Sequence, residues 1–138
     1  MRRACKVIDF SGDVGLVIRG NNMEEVFENA AKGLYKLISP SDFAPKTAIK
    51  ITLTSIDKES LLVNWLNELI FLFDAKGFIG CKAVFEKLND NELVASIWGD
   101  YFDKDKHKSG ILIKAATYHN LVFKKEQQGL LAQIIFDI

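Results

Sequence analysis

Apolar residues recur at helical spacing through Leu61–Asp74. Leu62, Leu66, Leu69 and Phe73 fall on one stripe, and Trp65, Ile70 and Leu72 widen it past a third of the circumference. A helix so apolar is expected to be buried on more than one side. Asn64, Asn67, Glu68 and Asp74 are its polar exceptions. Asp57 is placed to cap its start, Glu59 sits in the first turn, and Lys76-Gly77 marks its stop. The run of about 14 residues falls short of the ~20 that a bilayer requires. It predicts the core helix around which a soluble domain is built.

A second helix is announced by Asn22-Met23-Glu24-Glu25, which has the form of a capping box. Phe27, Ala30, Ala31, Leu34 and Ile38 then share one face, and Pro40 stops the helix. Elsewhere the period is two. Lys6–Ile8, then Val14, Leu16 and Ile18, then Ile49, Ile51 and Leu53 predict strands. Phe78–Leu88 and Leu93–Phe102 predict a hairpin, turned at Asn89-Asp90-Asn91 by residues that tolerate positive φ. Ile111–Ala116, Leu121–Lys125 and Leu130–Asp137 predict three more strands, with Gly129 in the last turn. Asp103–Gly110 reads as a charged, flexible loop. No crossover helices occupy the last third. The expected class is therefore α+β, with two helices packed on a largely antiparallel β-sheet in a single compact domain, residues 1–138.

Composition narrows the function classes. Eighteen Lys plus Arg balance eighteen Asp plus Glu. A formal net charge of zero supplies no global field to attract nucleic acid or anionic lipid. Cys5 and Cys81 lie far apart without metal-type spacing, which fits a reducing compartment and small buried thiols. No long apolar run follows Met1–Lys6, so neither signal peptide nor anchor is expected, and a cytoplasmic location is.

Enzyme constellations are scarce. No Gly-x-Ser-x-Gly elbow, phosphate-binding glycine loop or His-Glu-x-x-His motif occurs. The only histidines are His107 and His119, and a Cys81 nucleophile with His119 as base has no motif behind it. Carboxylates are the better lead. Asp9 and Asp13 bracket a turn containing Gly12, and Asp137 directly precedes Ile138 and its α-carboxylate. Such a pair repels itself unless it is exposed, protonated or neutralised by a cation. Hard divalent ions favour clustered oxygens of this kind. Asp13 joins the pair if the last strand runs beside the first; otherwise Asp9 and Asp13 are turn residues and the terminus is solvated. Lys114, within an otherwise apolar strand, is either an outward-facing side chain or a cation beside a carboxylate or phosphate site. The Lys104–Lys108 loop reads as solvated, with a weak polyanion contact as its other reading.

Several stretches together resemble the archease family. These are Asp13-Val14-Gly15 and the Asn22–Leu37 helix with Phe27-Glu28-Asn29-Ala30-Ala31 followed by Gly33-Leu34. Val63-Asn64-Trp65-Leu66-Asn67-Glu68-Leu69, Lys114–Leu121 and the Asp137-Ile138 ending complete the set. They run in the family's order over nearly the whole chain. One departure stands out. The family's first turn reads Asp-His-Thr-Ala-Asp, whereas here it reads Asp9-Phe10-Ser11-Gly12-Asp13. Any role of that imidazole is lost with Phe10.

The resemblance implies a non-catalytic helper of the GTP-dependent RNA-splicing ligase of the RtcB type, which joins RNA ends in transfer-RNA splicing. It implies promotion of the ligase's guanylylation and multiple turnover, with RNA met only through the ligase and no membrane involved. It also implies a divalent-metal site at Asp13, Asp137 and Ile138, calcium being the first expectation and magnesium or manganese open, and a partner-facing Lys114. The alternative is a chaperone-like or RNA-modification adaptor with other partners.

Overall fold

The computed structural model describes residues 4–138, with Phe10 described by its backbone alone. Strands β1 (Cys5–Phe10) and β2 (Asp13–Gly20) lead into helix α1 (Met23–Ile38). Strand β3 (Thr47–Thr54) and helix α2 (Lys58–Lys76) follow, then β4 (Phe78–Leu88), β5 (Glu92–Tyr101), β6 (Ala115–Ala116), β7 (Val122–Glu126) and β8 (Gly129–Asp137). The α+β expectation holds, and every strand pairing is antiparallel. The strands divide into two sheets rather than one. Five strands run β1-β2-β8-β6 with β7 also on β8, and three run β3-β5-β4.

The helices fill the space between the sheets. α1 packs on β2 from one side and on β4 from the other. Its start is built as the sequence implies, with Asn22 Oδ1 accepting from the Glu25 amide at 2.9 Å. Glu25 reaches one residue further back than a capping box, accepting from the Asn21 amide at 3.0 Å. α2 is capped by Asp57, and Gly77 closes it in the left-handed conformation at φ 70. Its buried residues go round the helix, from Leu62, Leu66 and Leu69 to Val63 and Ile70. Two polar ends are satisfied deep in this layer: Trp65 Nε1 donates to the Phe27 carbonyl at 3.0 Å, and the Tyr35 hydroxyl donates to the Leu69 carbonyl at 3.1 Å. Trp98, by contrast, lies on the outer face of the three-stranded sheet and is 37% exposed.

One strand expectation needs correction, and the turn expected between β4 and β5 is present but closes without positive φ. Only Ala115–Ala116 of the Ile111–Ala116 stretch pairs as a strand. Ile113 is 3% exposed and Leu112 69%, so its alternation reports burial against the core, not a ladder. At Asn89-Asp90-Asn91 no residue takes positive φ. Instead Asn89 Oδ1 accepts from the amides of Asn91 and Glu92, both at 2.9 Å, and the asparagine closes the turn with its side chain.

Candidate functional site

β1 and β2 meet in a two-residue hairpin loop. Ser11 (φ 49) and Gly12 (φ 89) both take positive φ, and Phe10 pairs with Asp13. β2 then runs antiparallel to β8 from the pair Val14 with Phe136. One step beyond that pair stand Asp13 on one strand and Asp137 on the other, so the register opposes them at the end of the sheet. Val14 and Phe136 face the core; Asp13 and Asp137 therefore share the outer face. Asp9 pairs with Val14, so alternation gives it the other face and removes it from the group. Asp137 and Ile138 are exposed and Asp13 is half-buried. Gly15 is what lets the strands close here. A Cβ there would stand 2.8 Å from the Ile134 carbonyl oxygen and 2.7 Å from Ile135 Cδ1.

The other edge of β8 carries Lys114. Its amide donates to the Asp137 carbonyl at 2.8 Å, and Ala115 pairs with Asp137. The Lys114 side chain is exposed. Thr117 completes the segment, its amide (3.0 Å) and hydroxyl (2.8 Å) both donating to the Ile135 carbonyl. From the opposite side Asn67 of α2 reaches in. Its Nδ2 donates to the Ala116 carbonyl at 3.2 Å, and its Oδ1 accepts from the Ala116 amide at 2.8 Å. Sequence reasoning missed this contact, and its single signal was an amide side chain in an otherwise apolar helix.

The group offers carboxylate oxygens only. Among the described residues neither Asp13 nor Asp137 is in an ion pair. No three His, Cys, Asp or Glu side chains are grouped to hold a metal among those residues. A set made from two side chains and one terminal carboxylate suits a hard divalent ion with waters or a partner's oxygens in its remaining positions. The sulfur and imidazole candidates lie elsewhere. Cys81 is in β4 of the three-stranded sheet, and His119 is on the β6–β7 connection of the five-stranded one. Burial raises the Cys81 thiol pKa, which disfavours a thiolate nucleophile.

The charged loop is tied down rather than loose. His107 Nδ1 accepts from the Asp103 amide at 2.9 Å, and its ring lies on Phe43 with centroids 4.1 Å apart. Ser39 Oγ donates to the Lys108 carbonyl at 2.6 Å, and the Lys108 amide donates to Ser41 Oγ at 2.8 Å.

A two-sheet α+β domain with an acidic strand end is the class that fold and site define. The chain belongs to the Archease protein family, whose model matches residues 6–138. It is 34% identical over 136 residues to Protein archease of Methanosarcina acetivorans, covering 95% of this chain and 93% of that one. It is 31% identical over 135 residues to Protein archease of Aeropyrum pernix, covering 94% of each. The solution structure of a Methanobacterium thermoautotrophicum protein matches with a TM-score of 0.76 at 28% identity, over 98% of this chain and 99% of that one. The crystal structure of an archease from Thermotoga maritima, described as a possible chaperone, has the same fold (TM-score 0.67, 24% identity, 100% of this chain and 98% of that one). No described helix is long and apolar enough to cross a membrane.

Proposed function

We propose that this protein is a non-catalytic activator of an RNA-splicing ligase of the RtcB type, acting through a divalent ion held at Asp13, Asp137 and the α-carboxylate of Ile138. The observation that carries the reading is the β2–β8 register, which sets Asp13 opposite Asp137 at one exposed end of the sheet. A bound divalent ion would screen triphosphate charge. The chain's own residues do the positioning. Asp13 comes from the first hairpin and Asp137 from β8, each one residue beyond the Val14–Phe136 pair that ends the ladder. The side chain of Asp137 and the last residue remain open to a partner. Lys114, exposed beside them, faces that partner and contributes a single mobile cation to the docking surface. Calcium is the ion to try first, because a site open to water tolerates irregular oxygen geometry, whereas magnesium demands a near-ideal octahedron.

The test has two arms. Calorimetry with calcium should show one site in the wild-type chain. Asp13→Ala or Asp137→Ala should weaken it by more than the roughly 10- to 100-fold that losing an outer-shell partner costs. The same variants should cease to stimulate guanylylation and turnover of the ligase. Stimulation undiminished in either variant would refute the metal reading. A pull-down that recovers other partners but no ligase would favour the adaptor alternative.

A further inference from the structure

We propose that Asn67 is a positioning residue for the acidic end of the sheet, its side-chain amide standing in for the strand that β6 lacks. The inference rests on the metal reading above. β6 has only two residues and has β8 on one side alone. The amide and carbonyl of Ala116 that face away from β8 would need another partner, and Ala116 is only 5% exposed. An asparagine side chain sets an amide nitrogen that donates beside a carbonyl oxygen that accepts. Asn67 uses both on the same residue, as a neighbouring strand would.

The helix that delivers it is rigid. Leu66 and Leu69 beside it are fully buried, and Trp65 is pinned to α1 by its indole hydrogen bond. The chain of contacts then continues outward. Asn67 holds Ala116, the Lys114 amide holds the Asp137 carbonyl, and Asp137 carries one of the proposed ligands on the same residue. Without the amide, the outer side of β6 loses its protein partner, and the main chain at Asp137 is steadied from the β2 side alone. Asn67 touches no ligand oxygen. It acts by fixing where Asp137 and Lys114 stand.

The experiment compares wild type, Asn67→Ala, Asn67→Asp and the control Asn64→Ala, an exposed asparagine of the same helix. Metal-free amide exchange at Lys114 and Ala116 is read by NMR, and calcium affinity is read by calorimetry. Asn67→Ala should speed exchange at the two amides while Asn64→Ala leaves it unchanged; Asn67→Asp keeps an acceptor for the Ala116 amide and loses the donor to its carbonyl. Calcium binding should weaken by roughly tenfold in both. The aspartate variant separates this role from simple charge: an added carboxylate acting only by its field would tighten calcium, whereas a broken clamp weakens it. Equal exchange in all four proteins, or tighter calcium in Asn67→Asp, overturns the proposal. If wild type takes up no calcium, the metal reading fails by itself, and amide exchange alone then upholds or overturns the clamp.

Discussion

Two neighbouring segments without long strands are held in opposite ways. Residues 114–117 are gripped by a strand on one side and a helix side chain on the other. Residues 103–111 have no strand partner. They form a strap over the end of α1, tied by His107 to Asp103, by Ser39 and Ser41 to Lys108, and by the amides of Gly110 and Ile111 to the carbonyls of Ile38 (2.8 Å) and Leu37 (2.7 Å). The strap thereby satisfies carbonyls that a helix end leaves without intrahelical donors. High local charge marked it as exposed, and it is exposed, yet its backbone is fastened. The apolar stretch leading to Lys114 looked like a strand, and it is largely a passage that buries Ile113 and leaves Ile111 and Leu112 before it exposed. Charge predicts wetness, and alternation predicts burial; neither predicts which backbone partner a segment finds.

The sharpest way to break this pair apart is Gly110→Ala. A Cβ there would collide with the Leu37 carbonyl oxygen, which is backbone and cannot swing aside. The expected cost is about 2–3 kcal/mol in denaturant unfolding. Amide exchange should quicken at Gly110 and Ile111 while Ala116 and Thr117 keep their protection. Ser39→Ala should do less. Ser39 is 1% exposed, but the carbonyl it serves belongs to exposed Lys108, which water can reach, so about 1 kcal/mol is expected by the same measurement. The smallest effect concerns acid. Lys36, hydrogen-bonded to Asp42 at 2.9 Å, holds that carboxyl below its ordinary 3.8. A depressed carboxylate pKa contributes stability above the unfolded value and loses it as pH falls through the folded one. The pair should therefore fade only below pH 3.8, and an NMR titration of Asp42 should move back toward the ordinary value in Lys36→Ala.

The elements most legible in the sequence were those with local causes. Asn22, Asp57 and Gly77 set helix ends through their own side chains or φ, and they do so in the fold. The alternation of Ile49, Ile51 and Leu53 belongs to β3, whose apolar face packs into the core against α2. What could not be read were choices made between distant segments. Alternation does not say that the strands split into two sheets, nor that β6 and β7 share one edge of β8. At the site, Asp13 and Asp137 were visible as carboxylates, but their opposition depends on a register decided by Val14, Leu16 and Ile18 meeting Phe136, Ile134 and Ala132. The partner of Asn67 could not be read for the same reason, since it is a backbone group far along the chain.

The place of β8 has a consequence for how the molecule is made. It is an inner strand of the five-stranded sheet, and it follows every other described strand in the chain. Until it arrives, β2 offers a bare edge, and the apolar surface of α1 lacks part of its cover. The first hairpin must therefore wait for a strand made more than a hundred residues later. Closure of that sheet is then a late, long-range event rather than one that follows translation step by step.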